Sequence, residues 1–179
     1  MTLDNESDYF LTFPGLTYDP DLLFDISYTL SNYYRIFRDP ITDELAKVEE
    51  LRHDSLHEQP EINRILSKLN PKLGANNGRL FFLKINPDVR MKIHIDPPTR
   101  SAAMIFPIIP DNPSPILWVD SNGNILKSLS YNCPTIINTR ILHTVENDYR
   151  TRINFQISLK LSWEEILAIK EDIYNDNIV

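Results

Sequence analysis

Cysteine is nearly missing from this sequence: Cys133 is the only one in 179 residues. A disulfide framework needs pairs of cysteines and a Cys-rich zinc module needs several thiolates, so both are excluded. Basic residues are in deficit, with 18 Lys and Arg against 25 Asp and Glu and a formal net charge of −7. Broad binding to a phosphate backbone needs a basic face, so nucleic acid is not an expected partner. No apolar run approaches the roughly 18 residues of a membrane span. The opening MTLDNESDYF is acidic and polar, unlike the basic-then-apolar start of a signal peptide. No internal repeat or low-complexity segment is present. The expectation is a soluble, cytoplasmic protein in which residues 1–179 make one domain, since 42% apolar residues at this length suit one compact domain. Histidine is scarce too, with four in the chain, and those four carry the most information.

Three regions follow from the hydrophobic pattern. Residues 1–79 read as a helical support region. Leu22, Leu23, Ile26, Leu30 and Tyr33 or Tyr34 recur at helical intervals after Pro20, which predicts a helix that stops near Asp39-Pro40. Thr42, Leu45 and Val48 point to a second short helix and Glu61 to Leu69 to a third. Residues 70–79 hold two of the four glycines and read as a loop. Residues 80–160 form the β core, with strands expected at 80–85, 89–95, 101–109, 116–119, 125–129, 135–137 and 152–159. Turn signals such as Asn122-Gly123 and Cys133-Pro134 separate them, with no helices between, so the sheets should be antiparallel. Residues 161–179 close the chain with a helix whose Ser162 and Glu165 make a capping box.

His94-Ile95-Asp96 ends the alternating segment 89–95. On a strand, residues i and i+2 point to the same face, so an imidazole and a carboxylate project together. His143 lies 47 residues beyond Asp96 on another strand-like stretch. Two histidines and a carboxylate can fill one face of a metal and leave the other positions open. That arrangement suits non-haem Fe(II), which must bind both a co-substrate and O₂. The plainer reading is that Asp96 caps a turn before Pro97-Pro98 and His94 is an ordinary strand residue. Nine residues after His143, Arg152 opens a strand in which Arg152, Asn154, Gln156 and Ser158 alternate with Ile153, Phe155, Ile157 and Leu159. Its polar face is either solvated or lines a pocket. In the second case Arg152 can bond a carboxylate through its planar fork.

The H-x-D of His94 and Asp96, with His143, Val145, Tyr149, Thr151 and Arg152 following, resembles the Fe(II)- and 2-oxoglutarate-dependent oxygenases. The H-x-V-x-x-x-Y-x-T-R run is closest to the prolyl hydroxylase branch. The stretch His94 to Arg100 also looks like the metal-binding strand of aspartyl/asparaginyl hydroxylase-like proteins. The resemblance spans about residues 80–160. It implies a double-stranded β-helix, a jelly-roll or cupin-like core, giving an α+β but mainly β fold with supporting N-terminal helices and a C-terminal helix. It implies Fe(II) on His94, Asp96 and His143. The distal carboxylate of the co-substrate 2-oxoglutarate falls to Arg152, with Arg100 as an auxiliary cofactor-binding residue. Arg100 is otherwise a solvated loop arginine.

The resemblance implies a dioxygenase that hydroxylates an amino-acid side chain, in a protein, a peptide or the free amino acid, with O₂ consumed and succinate and CO₂ released. Two alternatives stand beside it: a cupin-like metalloenzyme that does not use 2-oxoglutarate, and a non-catalytic jelly-roll binding module. Lys84, Asn86, Arg150 and Thr151 read as surface or strand-edge groups. Trp118 and Trp163 read as core or rim aromatics, Cys133 as buried and inert, and His53 and His57 as a solvated helix face.

Overall fold

In the computed structural model, residues 5–38 and 45–176 are described. Two long strands dominate, β5 (Ala102–Ile109) and β10 (Arg152–Leu159), and every residue of β10 is buried. They pair with each other and extend outward through β8 (Thr135–Asn138) and β1 (Phe10–Thr12) on one side. On the other side come β4 (Arg79–Ile85), β3 (Leu45–Leu51) and β2 (Tyr34–Arg38). A smaller sheet holds β7 (Ile125–Leu129), β6 (Ile116–Val119) and β9 (His143–Val145) in that order. All pairings in both sheets are antiparallel.

The alternation in β10 sorts two cores. Phe155 and Ile157 join Phe82, Met104 and Phe106 on the outer face of the large sheet. The helices α1 (Pro20–Thr29), α2 (Pro60–Lys68) and α3 (Trp163–Ala168) cover that face with Leu23, Ile62, Ile65 and Ile166. A fully buried Phe, Leu or Ile contributes roughly 1.5–3 kcal/mol, so this layer carries much of the stability. The inner face turns Ile85, Ile105 and Ile137 toward Ile116, Trp118 and Val145 of the small sheet. Arg152, Asn154 and Gln156 share this inner face, which is why a polar row is buried between two sheets. Among the described residues no helix is long and apolar enough to cross a membrane.

Local signals explain the helix ends. Asp19 accepts from Asp21 and Leu22 backbone N–H groups, and Pro20 starts α1 without a wasted donor. Glu61 links α2 to that cap, accepting from the Asp19 N–H at 2.7 Å. Ser162 and Glu165 form the expected capping box of α3. The C-terminal helix is interrupted at Ile169, and α4 (Lys170–Asp176) follows separately.

The N-terminal third is not simply helical. The helix after Pro20 ends at Thr29, and a 3-10 turn over Ser31–Tyr33 leads into β2. Leu45 and Val48 lie in strand β3, not in a second helix; Thr42 falls outside the described residues. Pairing of β3 with β4, from Val48 opposite Ile85 to Leu51 opposite Phe82, overrides the short helical pattern. The segment 89–95 is also no full strand. It touches the small sheet only through bridges at Arg90–Glu146 and His94–His143.

Gly78 marks a close approach between the 70–79 segment and β10. A Cβ there would stand 2.6 Å from the Ser158 carbonyl oxygen and 2.9 Å from Ile157 Cγ2. Gly78→Ala is therefore expected to destabilise by about 1–3 kcal/mol through overpacking, read as a lower denaturant midpoint. An unchanged midpoint would show that the two segments can separate freely.

Candidate metal centre

The segment entering from Val89 runs antiparallel to β9. Met91 N–H donates to the Val145 carbonyl, and His94 and His143 exchange two backbone hydrogen bonds of 3.0 and 2.9 Å. Residues paired in this way place their side chains on the same face. The two imidazoles accordingly meet with ring centroids 4.4 Å apart. Asp96, two residues on, is held by its own backbone: its N–H donates to the Thr139 carbonyl, and the Arg140 guanidinium donates to its carbonyl. Ile95 between them turns outward and is exposed. Ligand atoms of His94, Asp96 and His143 all lie within 4.8 Å of one another.

Both histidines have Nδ1 2.8 Å from a backbone carbonyl, Lys92 for His94 and Ile141 for His143. A carbonyl only accepts, so each Nδ1 carries the proton and each Nε2 keeps a lone pair. His94 Nε2 points toward Asp96 Oδ1 at 3.5 Å. Two neutral imidazole nitrogens and a carboxylate oxygen thus converge with their backs already fixed, and this donor set fits Fe(II). Asp96 and His143 are buried, while the His94 side chain is 35% exposed, so the centre opens on one side.

Burial, and then the neighbouring His94, push His143 down to about 4. A folded-state value below the ordinary 6.5 means that the unfolded chain takes up the proton first. The metal-free protein should keep this contribution to stability above pH 6.5 and lose it progressively as pH falls toward 4. His143→Gln should flatten that part of the stability-versus-pH curve, measured by chemical denaturation at several pH values. An equal slope in wild type and variant would contradict the assignment.

Arg152 lines the same cleft as the triad. It is 1% exposed. One guanidinium nitrogen donates to the Ser114 carbonyl at 2.8 Å and another to the Tyr131 hydroxyl at 2.5 Å. Among the described residues no carboxylate pairs with it. A buried charge without a counter-charge is costly. Arg100 is placed differently. Its Nε stands 3.2 Å from Asp96 Oδ2, it donates to Gln156 Oε1 at 2.5 Å, and it lies over the Phe81 ring. It grips a triad residue and is not a solvated loop arginine. Burial pulls Arg100 below the usual arginine range and Asp96 opposes that pull.

Other motif residues fall elsewhere. Val145 lines the cleft, but Tyr149 is exposed and Arg150 pairs with Asp148. Lys84 and Asn86 pair with Glu49, away from the cleft. His53 caps a 3-10 turn through Ser55, and His57 lies within that turn, not on an α-helix. Trp118 and Trp163 are core residues bonded to the Asn138 and Ser7 carbonyls. Cys133 is half-buried and not, as expected, buried; desolvation raises its thiol. Tyr131 and Ser114 were not singled out from the sequence. They lie in turns with no motif, and only folding brings them to Arg152.

No protein-family model and no curated sequence matches the chain. Solved structures do match. A prolyl-4-hydroxylase from Pseudomonas putida superposes with a TM-score of 0.52 at 11% identity, covering 84% of this chain and 92% of that one. A prolyl hydroxylase from Trichoplax adhaerens, in complex with a hypoxia inducible factor oxygen degradation domain peptide fragment, gives 0.59 at 12%, covering 89% and 86%. A non-heme alpha-ketoglutarate-dependent epimerase from nogalamycin biosynthesis gives 0.56 at 10%, covering 83% and 74%. At these identities the likeness speaks for the fold, and this chain has the fold of those three enzymes, with a His-Asp-His site able to take a metal ion.

Proposed function

We propose that this protein is an Fe(II)- and 2-oxoglutarate-dependent dioxygenase that hydroxylates an amino-acid side chain, peptidyl or free. Its two sheets would then be the halves of a double-stranded β-helix acting as one oxygenase domain. The observation that carries the reading is the buried Arg152, which has no carboxylate partner among the described residues and shares a cleft with the triad. A metalloenzyme without a 2-oxo acid has no need of that cation, and a binding module freed from catalysis has no need of three converging ligands.

His94 and His143 would hold Fe(II) through Nε2 and Asp96 through a carboxylate oxygen. Arg152 would bond the distal carboxylate of 2-oxoglutarate, with the Tyr131 hydroxyl beside it. When bound with O₂, iron and 2-oxoglutarate supply an oxidant for a C–H bond and release succinate and CO₂. The chain's own residues prepare the site. The Lys92 and Ile141 carbonyls fix both rings, Arg100 fixes Asp96, and Leu83, Ile85, Ile105 and Ile116 keep water from the walls. The peptide bound to the Trichoplax adhaerens relative supports a peptidyl substrate.

The test is succinate formation by the Fe(II)-loaded protein, with 2-oxoglutarate and O₂, on a panel of free amino acids and short peptides. Succinate that rises with one panel member, and a mass gain of one oxygen on it, is the expected result. Iron binding without any consumption of 2-oxoglutarate would overturn the reading.

A further inference from the structure

The inner face of the large sheet continues past the triad. Phe81 stands opposite Gln156 and Arg79 opposite Ser158, so Arg79 sits one same-face step, roughly 7 Å, beyond the ring. Arg79 and Arg100 both lie over Phe81, at 5.2 and 5.0 Å from its centroid. Arg52, just after β3, grips the buried Glu50 with two nitrogens. Arg79 also faces Glu50, but its nearest approach is 3.9 Å, beyond hydrogen-bonding distance. The Arg79 and Arg52 side chains are 46% and 44% exposed.

The charges here do not balance. Arg52 satisfies Glu50 and Arg100 ion-pairs with Asp96, while Arg79, and Arg35 opposite Glu50 on β2, have no hydrogen-bonded carboxylate of their own among the described residues. Among the described residues the Arg79 side chain makes no hydrogen bond. A guanidinium braced on the aromatic ring that also carries the triad's Arg100 is unusual in a chain of net charge −7. A planar fork on a fixed ring suits a planar, singly charged oxyanion.

We propose that Arg79, stacked on Phe81 and flanked by Arg52, is a specificity-determining residue that binds a carboxylate of the substrate while the reacting carbon lies at the triad. This rests on the oxygenase reading and narrows its substrate to an acidic one. The carboxylate comes either from an acidic side chain of a peptide or from a free amino acid.

The test uses the full chain loaded with Zn(II) and 2-oxoglutarate, so that no turnover occurs. The probe is fluorescein-labelled acetyl-hexaglutamate amide followed by anisotropy, with the hexaglutamine peptide as control. Hexaglutamate should bind about tenfold tighter than hexaglutamine. The advantage should shrink as salt rises from roughly 20 to 200 mM. Arg79→Gln should remove most of it and Arg79→Lys should restore part, because lysine keeps the charge and loses the fork. Lys84→Gln, an equal charge change on a residue paired with Glu49, should leave it intact. Competition by L-glutamate, or by L-glutamine through its α-carboxylate, assigns the carboxylate to a free amino acid; no competition by either assigns it to a peptide, and both answers support the site. Equal binding of the two peptides, absence of binding, or full hexaglutamate affinity in Arg79→Gln overturns the proposal. Calorimetry of 2-oxoglutarate on the same Zn(II)-loaded sample judges the oxygenase reading separately.

Discussion

Asp96→Ala is expected to abolish stoichiometric Fe(II) binding. Asp96 supplies the only carboxylate among the three converging side chains. Its loss leaves two neutral imidazoles and the Arg100 guanidinium at the site, a combination that repels a cation. Loss of a mere supporting partner at a metal site costs roughly 10- to 100-fold in affinity, so loss of the carboxylate ligand itself should exceed about 100-fold. Arg100→Ala gives the smaller value on the same scale, because Arg100 touches Asp96 and not the metal position. Anaerobic calorimetry with Fe(II) measures both. If Asp96→Ala binds iron as wild type does, the metal lies elsewhere.

Arg152→Ala should leave Fe(II) binding nearly intact and cut 2-oxoglutarate affinity. A charge-assisted, bidentate bond worth on the order of 1.5–3 kcal/mol corresponds to a loss of roughly 10- to 150-fold. Arg152→Lys should recover part of that loss. A second consequence separates this role from a structural one. The guanidinium is buried and, among the described residues, lacks a counter-charge, so an apolar replacement of similar length removes a penalty. Arg152→Met should bind 2-oxoglutarate poorly and yet unfold at a higher temperature than the ligand-free wild type. A variant that loses both affinity and stability would mark Arg152 as a packing residue. If Arg100→Ala abolishes 2-oxoglutarate binding while Arg152→Ala does not, the anchor is Arg100.

What could be read in advance was local. The i, i+2 parity of His94 and Asp96 depends only on an extended backbone, which the segment keeps although it forms bridges and not a full strand. The alternation of β10 and the Ser162 cap are equally short-range, and both are found in the structure. Parity also marked a polar face on β10, and its burial follows from the small sheet packed against it. Non-local pairing was hidden. Leu45 to Leu51 becomes a strand because β4, far away in the chain, offers an edge to pair with, and Tyr34 to Arg38 then pairs with that strand in turn. Helical spacing of a few apolar residues does not outweigh that pairing. Tyr131 and Ser114 lie 21 and 38 residues before Arg152, so no spacing rule links them to it. Arg79 was invisible for the same reason, since its neighbours Phe81 and Glu50 gain meaning only once β3 and β4 are side by side.

An anaerobic titration of the wild-type protein with Fe(II), first alone and then with 2-oxoglutarate, tests the central claim most directly. Chelation of the triad-bound iron by a 2-oxo acid should produce a weak visible charge-transfer band that saturates at one equivalent each of metal and co-substrate. The band should be missing with Asp96→Ala at any concentration, and with Arg152→Ala it should appear only at much higher 2-oxoglutarate. Iron binding that is unaltered by 2-oxoglutarate, with no band in the wild type, would contradict the account.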